Sequence, residues 1–218
     1  KFQSFRTENI LSISTQKAPY QKKTTSDEES LFEMLKKLEL SKIQHVNLIE
    51  HAKNKILLMS TPFDNESVDL LNTLEFPLFK ISSGDITNIP FLKYVAKKRK
   101  PMILSTGRST MIEVEDAVDT ILKNGCKQLA ILHCVSDYPA SFKSLNLRAM
   151  NTLKETFNLP VGFSDHSLGI EASVAAVALG AKIIEKHFTL DKNLEGPDHK
   201  ASLEPKQLKS MVSAIRNV

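Results

Sequence analysis

The chain carries 218 residues, 41% apolar and 25% charged, enough to bury one sizeable core and too rich in Leu, Ile, Val and Phe for a disordered state. Its formal net charge of +4, from 29 basic and 25 acidic residues, lies far below the clustered excess of a nucleic-acid binder, so no nucleic-acid partner is expected. No apolar run reaches the length of a membrane span, and Cys126 and Cys134 lack CxxC spacing, which fits a reducing compartment and argues against a zinc ribbon.

No signal peptide opens the chain, so a cytoplasmic enzyme without a membrane partner is expected. Lys1-Phe2-Gln3-Ser4-Phe5 alternates like the last part of a strand and has no initiator Met, which suggests a fragment of a longer parent. Residues 6–25 are polar, aperiodic and contain Pro19, the pattern of a long loop. Ser26-Asp27-Glu28-Glu29 reads as a capping box opening a helix with Leu31, Met34, Leu35 and Leu38 on one face. A second helix is predicted over 41–54.

A rhythm follows. Short apolar runs occur at 56–59, 78–81, 102–104, 129–132, 161–163 and 183–184, starting roughly 20–30 residues apart, the length of one strand, one helix and two loops. Helical stripes fill the gaps: Val68, Leu71 and Leu74, then Phe91, Leu92 and Val95. Thr110-Met111-Ile112-Glu113 is a further capping box, opening a helix with Val114, Val118, Ile121 and Leu122 inward and Asn124-Gly125 at its close. Met150, Leu153 and Phe157 mark the next, then Ile170, Val174 and Val177, then Leu208, Val212 and Ile215 behind Pro205.

Short doubly buried strands alternating with amphipathic helices give an α/β fold with a parallel sheet. An open doubly wound sheet and a closed barrel compete. No GxGxxG follows the first visible strand, which disfavours the dinucleotide fold. Six units plus a strand stub match a (β/α)8 TIM barrel lacking its first strand–helix unit, since a full barrel takes ~250 residues. Residues 1–218 are therefore expected to form a single TIM-barrel catalytic domain.

Polar residues follow nearly every apolar run: Ser60-Thr61-Pro62, Ser82-Ser83-Gly84-Asp85, Ser105-Thr106-Gly107, His133-Cys134-Val135-Ser136, Ser164-Asp165-His166 and Glu185-Lys186-His187. One such cluster alone reads as a helix cap. Six in succession, with Lys and His included, point to the mouth of a barrel, where active sites are built. His166 and His187 end successive strands, a placement that suits either one divalent cation or two hydrogen-bonded imidazoles without metal. Lys80, in Phe79-Lys80-Ile81, needs an anion beside it. Ser83, Ser105, Ser164 and Thr61 could supply hydroxyl and main-chain donors to a phosphate, with Lys1 as a second cation. A Schiff-base lysine, or one paired to Asp85, is the alternative. Lys97-Lys98-Arg99-Lys100 reads as a solvated helix end.

These motifs, together with Glu185-Lys186-His187-Phe188-Thr189 and Gly196-Pro197-Asp198 in this order, strongly resemble the sialic acid synthase family from Lys1 to Val218. Lys1-Phe2-Gln3-Ser4-Phe5 and Leu35-Lys36-Lys37-Leu38-Glu39-Leu40 look more like its N-acetylneuraminate or legionaminate branch than its pseudaminate one. The resemblance implies condensation of phosphoenolpyruvate with an N-acetylated hexose such as N-acetylmannosamine, with release of phosphate through a tetrahedral intermediate. It implies Mn2+ or Mg2+ held by His166 and His187, and phosphoenolpyruvate contacts from Lys1, Thr61, Lys80, Ser83, Ser105 and Ser164. Gln3, Asp85, Ser136, Tyr138 and Asp198 match positions near the sugar, Ser136 standing where some members have Asn. Lys80, His187 and Asp198 are the expected catalytic residues, and Asp198 also approaches the metal's waters. Glu185 is expected near the metal without being a ligand. Two family features are expected to lie outside this chain: an acidic residue on the first strand, and a C-terminal antifreeze-like domain through which complete synthases form domain-swapped homodimers.

Two rival readings predict different behaviour. A barrel acting on a phosphorylated aldose needs an extra Arg cluster, for which only Arg108 and Arg148 stand near. A truncated, non-catalytic phosphate- or sugar-binding module would bind phosphoenolpyruvate without turnover.

Overall fold

The computed structural model describes residues 1–17, 21 and 29–218. These divide into two compact units. The first comprises Lys1–Lys17, the described part of Asp27–Leu104, and Ser109–Leu129; the second contains Ser105–Arg108 and Ala130–Val218.

In the first unit, β1 (Phe2–Ser4), β2 (Ser60–Pro62), β3 (Phe79–Ile81) and β4 (Met102–Ser105) run parallel in chain order. Its helices are α1 (Thr7–Ile10), α2 (Leu31–Leu38), α3 (Lys42–Ala52), α4 (Asn65–Thr73), α5 (Ile89–Ala96) and α6 (Met111–Lys123). Register is set by Gln3↔Thr61 between β1 and β2 and by Lys80↔Ile103 between β3 and β4. Phe79, Ile81 and Leu104 from the strands bury fully with Val68, Leu71, Leu92, Val95 and Ile121 from the helices. Each such side chain contributes about 1.5–3 kcal/mol of transfer free energy.

Caps decide where the helices begin. Capping boxes join Ser30 to Glu33, Ser41 to Gln44 and Thr110 to Glu113. The Thr110 box and the start at Ser41 are those the sequence predicts. The Ser26–Glu29 box falls largely outside the described residues, and α2 is instead opened by Ser30. At the close of α6, Gly125 takes φ +115°, a conformation that disfavours any side chain.

One predicted strand is displaced. Residues 56–59 lie before β2, with Ile56 75% and Leu57 66% exposed. The N–H groups of Lys55 and Ile56 still bond back to the Ala52 carbonyl, so the chain is leaving α3 there. The ladder starts only where the Met59 carbonyl accepts from Phe2.

In the second unit, β5 (Leu129–Cys134), β6 (Val161–Asp165) and β7 (Ile184–Lys186) are parallel neighbours, alternating with α7 (Ala149–Phe157), α8 (Glu171–Ala178) and α9 (Pro205–Arg216). Ile131, Leu132, Phe163, Ala176 and Leu203 form its core. The inward residues of α8 are Ala172, Ser173 and Ala176, and that of α9 is Met211; Val174, Val177, Leu208 and Ile215 are half-buried and Val212 is exposed. Val177, Leu208, Val212 and Ile215 instead line a cleft of about 500 Å³ together with Ile184 and Met211, so the predicted apolar stripes face a groove. In α6 the predicted Leu122 is likewise 41% exposed.

Gly162 lets β6 and β7 approach closely. A Cβ there would stand 2.2 Å from the Ile183 carbonyl oxygen and 2.7 Å from Leu132 Cδ2, well inside contact distance.

Seven parallel strands alternating with helices make this an α/β fold of the TIM-barrel type, which in full has eight. Among the described residues, no helix is long and apolar enough to cross a membrane.

Candidate active site

Parallel strands end on one side, so the strand-end residues of each unit gather by construction. In the first unit, Gln3 and Thr61 are ladder partners, and the Lys1 ammonium donates to Thr61 Oγ1 at 3.4 Å. Thr61 is buried, while Lys1 and Gln3 are exposed. Lys80 lies in β3, 3% exposed, and its ammonium donates to the Ile81 carbonyl at 2.9 Å. The turn Ser83–Asp85 follows, capped by Ser82, whose hydroxyl accepts from the Gly84 N–H. Burial pushes the Asp85 carboxyl up to about 6, against the lowering effect of a hydrogen bond from Asn88. A buried lysine and small hydroxyl residues thus share the strand ends of this unit.

The second unit concentrates the titratable groups. Ser105 is buried at the end of β4, and Ser136 and Tyr138 lie half-buried in the loop after β5. Ser164, 2% exposed, donates to Glu185 Oε1 at 2.9 Å and stands 3.5 Å from His166 Nε2. His166 Nδ1 lies 2.6 Å from the Val135 carbonyl oxygen. A carbonyl only accepts, so Nδ1 carries the proton and Nε2 presents its lone pair. The Tyr138 hydroxyl meets that lone pair at 3.2 Å. Burial holds His166 below the ordinary imidazole range, with the nearby His187 adding to the effect and the Val135 hydrogen bond opposing it.

The two imidazoles do converge. Their ring centroids are 5.5 Å apart, and the Tyr138 ring lies 4.3 Å from His166 and 5.7 Å from His187. Asp198 Oδ2 stands 3.9 Å from His187 Nδ1. A cation ~2.1 Å from a nitrogen of each ring fits this spacing, and the fixed tautomer of His166 is the one a ligand needs. Among the described residues no group of three or more His, Cys, Asp or Glu side chains is arranged to hold a metal. What the described residues do bring together is two imidazoles, with the Tyr138 ring beside them and the Asp198 carboxylate 3.9 Å from His187 Nδ1.

Several polar residues expected beyond the strands lie within them: Ser60 and Thr61 in β2, His133 and Cys134 at the end of β5, Ser164 and Asp165 at the end of β6, Glu185 and Lys186 at the end of β7. Sequence reasoning missed Asp165 and Lys186, which form a fully buried ion pair behind the histidines. The available signal was an acidic and a basic residue, each directly preceding a strand-end histidine.

A profile described as the NeuB family matches residues 1–218. The chain is 55% identical, over its whole length, to the N,N'-diacetyllegionaminic acid synthase of Campylobacter jejuni and spans 66% of that protein. It is 46% identical to the enzyme of the same name from Legionella pneumophila, again over its whole length, and spans 62% of it. The N-acetylneuraminic acid (sialic acid) synthetase of Leptospira borgpetersenii, solved in complex with citrate, superposes with a TM-score of 0.86 at 36% identity, covering 99% of this chain and 71% of that one. The chain thus spans less than two thirds of the curated relatives it matches. Matched from its first residue to its last, it belongs to the NeuB family and is related to the sialic acid synthases.

Proposed function

We propose that the protein acts as a nonulosonic acid synthase, condensing phosphoenolpyruvate with an N-acetylated hexose and releasing inorganic phosphate. The observation that carries this reading is the convergence of His166 and His187, the first with its tautomer fixed, beside Tyr138 and Asp198. In the reaction, the enol carbon forms a bond to the aldehyde carbon and the aldehyde oxygen takes up a proton. Water adds to the former enol-ester carbon, and the C–O bond to phosphate breaks from the resulting tetrahedral intermediate.

A Mn2+ or Mg2+ ion held by His166 and His187 would supply Lewis-acid polarisation of the aldehyde. The protein's own residues do the rest. Lys80 neutralises anionic charge of phosphoenolpyruvate, with Lys1, Thr61, Ser83, Ser105 and Ser164 as further donors. The Ser164 hydroxyl donates a hydrogen bond to Glu185 Oε1 at 2.9 Å, and its single hydrogen turns from Glu185 to the substrate when phosphoenolpyruvate binds. Gln3, Asp85, Ser136 and Tyr138 contact the sugar. Asp198 steadies the His187 imidazole and the water around it. By resemblance alone, the proposal extends to a homodimer in the cytoplasm.

A phosphate-release screen of the intact protein, with Mn2+ and a panel of N-acetylated hexoses, tests the reading. Release that requires both hexose and ion is expected. Release without sugar, or release indifferent to chelation, overturns it.

A further inference from the structure

The two imidazole-bearing residues stand just beyond the β6–β7 ladder. The last register pair is Asp165↔Lys186, and His166 and His187 each follow by one residue, where their carbonyls accept from the N–H groups of Ala140 and Leu203 and the two segments are no longer paired with each other. Side chains alternate faces along a strand. Ser164 and Glu185 therefore share the face of the histidines, as their hydrogen bond and the Ser164–His166 approach require. Asp165 and Lys186 project to the opposite, helix-covered face, where Asp165 accepts from Ser173 of α8 at 2.7 Å.

On that face the two charges meet at 2.9 Å, with side chains 0% and 2% exposed. The Asp165 carboxylate also accepts from the N–H of Ser167 at 2.9 Å and from its hydroxyl at 2.6 Å. The Lys186 ammonium also donates to the Ser167 carbonyl. Lys186 thus grips both residues that bracket His166, while being the chain neighbour of His187. A buried ion pair is a poor source of stability, because desolvation offsets its Coulomb attraction and an uncharged replacement is often neutral. What a pair with so many directional partners does supply is one defined geometry.

We propose that the Asp165–Lys186 pair is the positioning element that sets the separation and mutual facing of the His166 and His187 imidazoles. This rests on the two-imidazole ion site proposed above. The pair touches neither ion nor substrate; it acts through the backbone of the residues that do.

Mn2+ alone is the probe. In the intact protein, Asp165→Asn combined with Lys186→Met removes both charges together, and the Asn carbonyl still accepts from Ser167. The double variant is expected to keep its circular dichroism and melting temperature, yet to lose roughly 10–100-fold in Mn2+ affinity by electron paramagnetic resonance titration. In metal-free protein the nuclear Overhauser contact between the His166 and His187 rings should vanish. Lys186→Arg, which keeps a cation with several donors, should preserve both signals. Either signal unchanged in the folded double variant overturns the proposal. A double variant that no longer folds overturns it too, since the pair would then serve the fold rather than the imidazoles. Should the unmodified protein fail to bind Mn2+, the metal reading falls by itself, and the ring–ring contact alone decides this inference.

Discussion

His45 in the first unit and His166 in the second begin alike. Both are buried, and both commit the Nδ1 hydrogen to a main-chain carbonyl, that of Ser41 at 2.9 Å and that of Val135 at 2.6 Å. Each therefore has a lone pair at Nε2. The Nε2 of His45 is closed off at once: Ser4 Oγ donates to it at 2.8 Å and is itself bonded to Ser60 Oγ at 2.8 Å. The result is a hydrogen-bonded clasp joining α3 to β1 and β2. At His166 the same atom meets the Tyr138 hydroxyl at 3.2 Å and the Ser164 hydroxyl at 3.5 Å, and the ring lies 5.5 Å, centroid to centroid, from a second imidazole. Burial and tautomer are shared, so neither distinguishes a clasp from a candidate ligand. The surroundings of the second nitrogen do.

That contrast is open to direct attack. The largest effect is expected from His187→Ala, which removes half of the imidazole platform: metal-dependent phosphate release should fall by on the order of 10³-fold, equivalent to the several kcal/mol a Lewis acid supplies, while the circular dichroism spectrum stays unchanged. Retained activity would erase the functional side of the comparison. Next comes His45→Ala. Loss of the ring leaves a cavity and removes the acceptor of the Ser4 hydroxyl, so denaturant titration should report a loss of about 3 kcal/mol. Mn2+ affinity should not change; if it does, the first histidine is more than a clasp.

The smallest effect is a pair of opposite pH dependences. Asp85, held up at about 6 by burial, carries a folded pKa above its unfolded one. Its contribution is fully present below ~3.9 and is lost as pH rises through about 6. Asp85→Asn should thus be more stable than the unmodified protein at neutral pH, by about 1–2 kcal/mol after allowing for partial exposure, and equal to it in acid. His166 works the other way. Burial lowers its pKa, so its contribution is present above ~6.5 and is lost as pH falls from there through the lowered value. Urea midpoints between pH 4 and pH 8 for the unmodified protein, Asp85→Asn and His166→Asn separate the two trends.

The alternation of strands and helices was legible because apolar runs and periodic stripes are local. So was the convergence of His166 and His187, once strands were assumed to run parallel. Strand ends were less legible. Ladder hydrogen bonds are made by the main chain whatever the side chain, so reading a strand as an apolar run stops it early, at Leu132 and Phe163, when the ladder continues to Cys134 and Asp165. Around the start of α2 two cap patterns overlap, Ser26 with Glu29 and Ser30 with Glu33, and local sequence alone cannot choose between them. Ile56 and Leu57 misled for the converse reason: apolar side chains in a segment still turning out of a helix have no ladder to join. The Asp165–Lys186 pair was half legible: each residue directly precedes a strand-end histidine, but their pairing depends on register between two strands, which no single segment encodes.

The bare α-carbon at position 162 has a consequence for how variation in this protein is to be interpreted. Any methyl added there must push the neighbouring strand outward, and that displacement would travel along the strand to the imidazole at its far end. A laboratory scan of substitutions should therefore find this position among the least tolerant in the chain, although it touches nothing that reacts. Variants arising there are expected to disturb the ring geometry, and a glycine kept at that point is a simple filter for distant sequences whose two histidines keep the same register.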